Sequence, residues 1–195
     1  DLRLAGEFEG RAVRVDSLLA EDGPRALSGR GEVTLGAQGD FAVRALELEL
    51  TAPGGTWELA EPASGALAGG RLELGPLVIA SRAGERQGRA RLRVGGDELE
   101  ARLEDFELGP ILELPGGYSG ALALSGDLAG RWSDLRGTLD VHGRELSTPQ
   151  TAALGAALEL ELAFELAEQV ELARGVLRGP SGELATLRGT LAIAP

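Results

Sequence analysis

Apolar side chains alternate with charged ones along much of this chain, most clearly over residues 158–166. The large apolar members of that run are Leu158, Leu160, Leu162, Phe164 and Leu166. Because the side chains of a β-strand have a period of two, all of them fall on one face. The helix preference of Leu and Glu is worth only a few tenths of a kcal/mol per residue, whereas burying each apolar side chain contributes roughly 1.5–3 kcal/mol. The segment is therefore predicted to be a strand with one apolar face and one charged face.

Similar runs extend through the rest of the chain and are separated by short turn signals. The clearest signals are Pro53–Gly55, Gly69–Gly70, Gly95–Asp97, Pro115–Gly117 and Gly179–Gly182. Glycine supplies positive φ and proline a preset φ, as tight turns require. About fourteen strands at a spacing of roughly 10–15 residues predict an all-β fold, with 1–195 as one continuous segment. Helices are the competing interpretation at Asp16–Ala20 and Thr151–Ala157, although both segments are short.

The apolar parity changes inside the run at residues 41–50. Its odd members are Phe41, Val43 and Ala45, and its even members are Leu46, Leu48 and Leu50. In a regular strand, a slip of one residue would send one of these sets to the opposite face. We therefore expect a β-bulge or a bend between the two sets.

Two architectures fit this alternation. A closed sandwich would bury the apolar faces of two sheets against each other, whereas an open, elongated sheet needs only one apolar face per strand. The uniform use of Leu suits the open sheet, but the alternation by itself leaves both architectures open. Fourteen strands at roughly 4.8 Å spacing would extend roughly 60–65 Å. The runs follow no strict repeat length, which argues against a consensus solenoid.

Composition narrows the classes of partner. The net charge of −12 makes nucleic acid and bare anionic membrane surfaces poor partners. With no Cys, the chain has neither disulfides nor thiolate metal sites. No run of about 18 apolar residues is present, so no membrane-spanning helix is expected. The chain opens without a signal peptide and is expected to be an internal piece of a longer protein.

Candidate catalytic chemistry is sparse. The single histidine, His142, has the parity opposite to Leu139 and Val141 and is expected to be exposed on the charged face. The adjacent carboxylates Glu104 and Asp105 belong to a solvated strand face in this interpretation. The Gly29–Gly31 segment lacks the third glycine and the helix of a dinucleotide loop. We therefore predict no catalytic residue, no metal site and no cofactor.

A basic stripe is predicted on the charged face, formed by Arg89, Arg91 and Arg93. If Gly95–Gly96 forms a two-residue hairpin loop, Arg93 lies opposite Glu98 and Arg91 opposite Glu100. Such surface ion pairs contribute little each.

Residues 115–149 carry the most distinctive pattern in the chain. Its spaced glycines and apolar residues are Gly120, Leu122, Leu124 and Gly126, followed after a polar turn by Leu135, Gly137, Leu139, Val141 and Gly143. This stretch resembles the TamB family, the inner-membrane subunit of the translocation and assembly module, which is related to AsmA-like and bridge-like lipid transfer proteins. The segment 176–193 has a similar spacing of glycine and apolar residues.

The resemblance implies a curled, taco-like sheet whose concave side is an apolar groove. It also implies a periplasmic location, with the full-length protein anchored in the inner membrane and meeting an outer-membrane barrel protein. The implied function is non-enzymatic: the groove would carry phospholipid acyl chains between the membranes and support outer-membrane biogenesis. The alternative is a chaperone-like module that adds outer-membrane protein strands to a sheet edge.

The residues predicted to line this groove are those of inward parity in the strongest runs. They are Leu46, Leu48, Leu50, Leu122, Leu124, Leu158, Leu160, Leu162, Phe164, Leu166, Leu191 and Ile193. A closed sandwich, in which the same residues form an ordinary core, is the structural alternative. Trp132, within the turn-like residues 130–134, is expected either to cap an open end of the groove or to cover a sheet edge. A surface β-solenoid would need a fixed repeat, and a membrane β-barrel would need more aromatic residues than this chain has.

Overall fold

The computed structural model describes residues 1–83, 85–108, 119–148, 151 and 157–192, without the side chains of 191 and 192. Fourteen strands in this part of the chain form one sheet, which confirms the predicted all-β class and strand number. The strands are β1 (Leu2–Glu9), β2 (Ala12–Asp22), β3 (Arg25–Leu35), β4 (Phe41–Ala52), β5 (Gly55–Leu59), β6 (Ala63–Ala68), β7 (Arg71–Ala83), β8 (Arg86–Gly95), β9 (Glu98–Glu107), β10 (Ser119–Arg131), β11 (Asp134–Ser147), β12 (Leu158–Leu166), β13 (Gln169–Gly179) and β14 (Gly182–Ala192).

The sheet is an antiparallel meander in which nearly every strand pairs with its neighbours in sequence. The exception is the pair β5 and β6, which lie end to end between β4 and β7. Strand β5 pairs with residues 49–52 of β4 and 79–82 of β7, whereas β6 pairs with the opposite halves of the same two strands. Fourteen strands thus occupy thirteen positions, and at roughly 4.8 Å per step the sheet extends roughly 58 Å along its hydrogen-bonding direction.

The strand register collects the apolar residues on one side of the sheet, which we call the apolar face. Two rows of directly paired residues define it: Leu4, Leu18, Gly29 and Leu48 in β1–β4, and Leu122, Gly143, Leu160 and Leu177 in β10–β13. The opposite side, the polar face, carries rows such as Ser28 with Glu49 and Glu159 with Arg178. Antiparallel pairing keeps opposite residues on the same face, so these rows extend across many strands.

Bulges in the middle of the strands let the apolar parity change without turning side chains to the wrong face. Ala45 has a φ of +48°, and the β3–β4 register shifts beside it. The bulge or bend predicted from the parity switch is therefore confirmed. Asp105 in β9 and Glu145 in β11 have φ values of +44° and +50°, also beside register shifts. A bulge bends its strand and increases its twist, and these positions therefore contribute to the curl of the sheet.

The sheet curls toward its apolar face between β5 and β9. In a flat sheet these strands would be roughly 14 Å apart, yet Trp57 Nε1 of β5 donates a 2.8 Å hydrogen bond to the Glu107 carbonyl of β9. The Glu107 backbone N–H in turn donates to Ser81 Oγ of β7 at 3.1 Å. The end of β9 therefore passes over the apolar face of β7, and a small core fills the space between. This aromatic cluster consists of Ala52, Trp57, Ala90 and Phe106.

The remainder of the sheet is open. The chain exposes 12583 Å², whereas a compact protein of 20.2 kDa would expose about 8,750 Å². All the described strands belong to one sheet, so the alternative of two sheets closed face to face is not formed. The residues predicted to be either groove or closed core thus lie on the surface of an open, curled sheet.

The actual β8–β9 register differs from the predicted one by two residues: Arg93 lies opposite Glu100 instead of Glu98, and Arg91 opposite Arg102 instead of Glu100. The reason is that Gly95 is the last residue of β8, and the loop is formed by Gly96, with a φ of +64°, and Asp97. Residues 16–20 lie within β2, so the competing helical interpretation is wrong there. The other candidate helix, over residues 151–157, falls mostly outside the described residues.

Two glycines of β8 provide a test of the curl. At Gly88, which faces the apolar side, an added Cβ would meet the backbone of Asp105 and lie 2.8 Å from Phe106 Cα. At Gly95 an added Cβ would meet nothing within 4 Å. We expect Gly88→Ala to lower the free energy of unfolding by roughly 1–3 kcal/mol, because the contacted atoms are backbone.

In the matched control Gly95→Ala, the free energy of unfolding should stay unchanged or rise slightly, because alanine restricts the unfolded chain. Urea denaturation of both variants measures the difference. Equal effects of the two substitutions would contradict the close packing of the Asp105 bulge against Gly88 and the bend that this bulge gives to β9.

Candidate functional site

The predicted groove residues lie on the apolar face and are neither buried nor fully exposed. Ten of the twelve have described side chains, and every one of these is half-buried: Leu46, Leu48, Leu50, Leu122, Leu124, Leu158, Leu160, Leu162, Phe164 and Leu166. Of the other two, Leu191 is described only by its backbone, which pairs with Val170, and Ile193 lies outside the described residues. Partial burial of so many large apolar side chains is typical of an open apolar surface, since core leucines are usually fully buried.

The fold gathers these residues into two patches. The larger, the β10–β12 patch, contains Leu122, Leu124 and the apolar residues of β12. Leu124 and Leu162 are joined through Val141 of β11, which is paired with both. The smaller, the β4 patch, contains Leu46, Leu48 and Leu50. Strands β5–β9 and the aromatic cluster lie between the two patches, so the predicted set does not form one uninterrupted row.

Glycines on the apolar face give the Gly/Leu alternation a structural role. An added Cβ at Gly143 would lie 2.6 Å from Leu146 Cδ1 and 3.1 Å from Leu160 Cβ. At Gly29 it would lie 2.6 Å from Leu48 Cδ2. The neighbouring leucines therefore lie over these glycines and cover the backbone that a missing side chain would leave open. The result is a nearly continuous hydrocarbon surface.

Some contributors to this surface were not among the predicted groove residues. Leu139 and Val141 of β11 belong to the β10–β12 patch, and Leu172 and Leu177 extend its apolar surface onto β13. All of them fall in alternating runs, so their parity was a usable signal. Phe106 gave no such signal for its role, since its packing in the aromatic cluster depends on the long-range approach of β9 to β5 and β7.

On the polar face, ion pairs between long side chains cover smaller apolar side chains. Arg178 forms two hydrogen bonds with Glu161, of 2.6 and 3.1 Å. The Arg178 guanidinium thereby holds the pKa of Glu161 below its ordinary value, while Glu161 raises the pKa of Arg178. Val176, directly opposite Glu161, is only 1% exposed. The aliphatic parts of long charged side chains can shield such residues from water. As predicted, the glutamates of β12 point away from the apolar face.

The candidate catalytic residues of the sequence lie within strands, Glu104 and Asp105 in β9 and His142 in β11. His142 lies on the polar face between Ala123 and Glu161, as predicted, but is half-buried instead of exposed because both neighbouring strands flank it. Glu104 accepts a hydrogen bond from Arg102 at 3.1 Å, whereas the Asp105 backbone N–H donates to Ser125 Oγ at 3.0 Å. Within the described ranges, no group of three or more acidic or histidine side chains is arranged to hold a metal ion.

The two tryptophans occupy opposite environments. Trp57 is 4% exposed within the aromatic cluster, whereas Trp132 is 58% exposed. Trp132 lies in the β10–β11 turn, where its backbone N–H donates to the Asp97 carbonyl of the β8–β9 turn at 3.0 Å. It therefore lies on the rim formed by the turns and not on either edge strand, β1 or β14.

Comparison with protein-family models, curated proteins and solved structures finds no significant match to this chain. In the part of the chain that the structure describes, no helix has both the length and the apolar character needed to cross a membrane. The resemblance to the TamB family therefore rests on the residues of 115–149 and 176–193 alone.

Tryptophan fluorescence can test whether Trp57 is buried in the aromatic cluster while Trp132 is exposed on the rim. In Trp132→Phe, the remaining emission comes from Trp57 and should be blue-shifted relative to the unmodified protein, with acrylamide quenching several-fold weaker. The physical reason is that the Trp57 ring is packed away from water, with its N–H bonded to a backbone carbonyl. Efficient quenching in Trp132→Phe would contradict the packing of β9 over β5 and β7.

Proposed function

We propose that this chain is a non-enzymatic, groove-forming segment that binds phospholipid acyl chains on its apolar face. In the proposed setting it lies in the periplasm, within a longer protein anchored in the inner membrane and meeting an outer-membrane barrel protein. There it helps phospholipid to pass between the two membranes and supports outer-membrane biogenesis. The setting and the partner are proposed from the resemblance of residues 115–149 to the TamB family.

The observation that carries the proposal is the row of half-buried apolar side chains on a single-layered sheet. Across β10–β13 the row includes Leu122, Leu160 and Leu177, each on the same face and paired strand to strand through Gly143. No described strand packs over this face as a second sheet. A large, contiguous apolar surface of this kind marks a binding site in soluble proteins.

The negative charge of the chain favours binding of the acyl chains of a phospholipid over binding of its headgroup. The chain carries a net charge of −12, and its polar face alternates Glu and Arg in ion pairs such as Glu161 with Arg178. Anionic headgroups would be repelled by this overall charge. An acyl chain bound on the apolar face needs no charged partner and leaves its headgroup in water beyond the rim of turns.

The second candidate function is a chaperone-like role in which client strands are added to a sheet edge. Its support is the exposure of apolar side chains on both edge strands: Leu2, Leu4 and Phe8 on β1, and Leu184 and Leu187 on β14. Strand addition uses backbone hydrogen bonds of the edge strand. It predicts binding that depends on β1 or β14 and is indifferent to substitutions in β12.

Lipid binding is tested by native mass spectrometry of the chain exported to a bacterial periplasm, with lipid extraction in parallel. We expect co-purified phospholipid, and we expect Leu160→Arg to reduce it at least about tenfold by placing a cation in the β10–β12 patch. The matched control is Glu165→Arg, which introduces the same side chain in the same strand on the polar face and should retain lipid.

Leu160→Arg should also keep its fold, because Leu160 is half-buried and an arginine there reaches water. Circular dichroism and urea unfolding of both variants check this. A lipid-free protein in every case, or equal lipid loss in the two variants, would contradict the groove and favour the edge-binding alternative.

A further inference from the structure

The basic stripe of β8 lies beside a cavity of about 280 Å³ on the polar face. The cavity is lined by Val78 of β7, Arg89 and Arg91 of β8, and Arg102 and Glu104 of β9. Three guanidinium groups therefore surround it together with a single carboxylate. The chain as a whole carries a net charge of −12, so the charge around this cavity has the opposite sign to that of the molecule.

The strand register places two of these arginines directly opposite each other. Arg91 is paired with Arg102, whereas Arg89 is paired with Glu104. Like charges at directly opposite positions of an antiparallel pair destabilise it. An anion bound between Arg91 and Arg102 would replace this repulsion with two attractions.

The guanidinium groups of β8 are free to bind such an anion. Among the described residues, Arg89 and Arg91 form neither a hydrogen bond nor an ion pair. Arg102 Nε donates to Glu104 Oε1 at 3.1 Å and lies 3.8 Å from Asp127 Oδ1. The carboxylates nearest to the cavity are thus compensated by Arg102, and the five N–H donors of each β8 guanidinium remain unused.

The floor of the cavity is apolar and restrains the arginine side chains. Val78 lies directly opposite Arg91 and is only 2% exposed. The aliphatic stems of long charged side chains can shield such a residue from water. Shielding of Val78 requires only these stems, however, and gives no reason for the guanidinium groups of Arg91 and Arg102 to face each other.

We propose that this cavity binds a phosphate group through Arg89, Arg91 and Arg102. The planar fork of a guanidinium matches two oxygens of a phosphate and forms short, charge-assisted hydrogen bonds with them. The Cα atoms of Arg91 and Arg102 are roughly 5 Å apart as a cross-strand pair, and those of Arg89 and Arg91 roughly 6.6 Å apart along one strand. Three guanidinium groups at this spacing reach different oxygens of the same phosphate. Charges farther away than about 8 Å are largely screened at physiological salt, so the local excess of arginine determines the affinity.

A larger cavity of about 1220 Å³ adjoins this site and shares Arg91 and Arg102 with it. Its lining includes Pro76, Arg93 and Arg136. A phosphate held by the shared arginines can therefore carry an organic group. A soluble phosphate and a phosphomonoester lipid headgroup supply the same chemistry. Because the site lies on the face opposite the leucine rows, this proposal does not depend on the binding of acyl chains.

The test is isothermal titration calorimetry of the chain with inorganic phosphate in chloride buffer at constant ionic strength. We expect saturable binding of one phosphate per chain. Arg91→Gln should raise the dissociation constant about tenfold or more, because it removes the central charged donor. Glu104→Gln should lower the dissociation constant, because it removes the carboxylate that lines the cavity and frees Arg102 for the ligand.

The matched control is Arg30→Gln, which removes the same charge from the polar face of β3, outside the cavity. Arg30 Nε donates to Glu47 at 2.7 Å. This variant should keep the dissociation constant for phosphate within about twofold of the original, because exposed charges far from the site are screened. Circular dichroism of all the variants confirms that each keeps its fold.

Vesicle flotation distinguishes the two sources of phosphate. The probes are vesicles of phosphatidylcholine with and without phosphatidic acid. Association with the phosphatidic acid vesicles alone, lost in Arg91→Gln, would identify a lipid headgroup as the ligand. Binding of inorganic phosphate without association with either vesicle would identify a soluble phosphate.

Three outcomes would overturn the proposal. An absence of saturable phosphate binding would leave the arginines as a solvated cover over Val78. Equal weakening by Arg30→Gln and Arg91→Gln would show that phosphate responds to the overall charge and to no particular site. A higher dissociation constant in Glu104→Gln would show that the ligand is not an anion held by these arginines.

Discussion

Side chains on the apolar face are partly buried by side chains of the neighbouring strands, and not by a second layer. The rest of the structure depends on these contacts between neighbouring strands. Each leucine row is completed by residues of the adjacent strands, as when Leu146 and Leu160 cover the position beside Gly143. Stability is therefore carried by nearest neighbours along the sheet, as in repeat proteins. It also leaves the leucines half-buried, which is what an apolar binding surface requires and what a closed core does not allow.

The aromatic cluster is the one part of the described sheet with a compact hydrophobic core. Its position between β5 and β9 separates the β4 patch from the β10–β12 patch and holds the curl of these strands. The two backbone bonds of Glu107, to Trp57 and Ser81, join strands that are not neighbours in the sheet. Ser81 is a polar residue on the apolar face and is fully buried, so its bond to the Glu107 N–H satisfies what would otherwise be a costly buried hydroxyl. The cluster thus stabilises a shape that the strand ladder alone does not dictate.

Local patterns predicted much of this fold because they act over a few residues. The period of two in β12 determines which side chains share a face, and the parity switch at Ala45 and Leu46 identifies a bulge, since both follow from strand geometry. The β8–β9 register was harder, because Gly95 and Gly96 are equivalent as sequence signals and only one adopts positive φ. The end-to-end arrangement of β5 and β6 and the approach of Trp57 to Glu107 depend on residues far apart in sequence. At the site, the parity of the runs predicted which ten side chains share the apolar face. The division of these side chains into two patches could not be predicted, because it depends on the aromatic cluster formed by residues far apart in sequence.

We propose that acyl chains bind on the apolar face and not on the polar face. A phospholipid with a photoactivatable diazirine near the end of one acyl chain tests it directly, with crosslinked residues located by peptide mass spectrometry. We expect crosslinks at Leu124 and Leu162 and none at their polar-face neighbours Ala123 and Ala163, because adjacent strand residues point to opposite faces. Crosslinks spread equally over both parities, or absent from β10–β12, would contradict it.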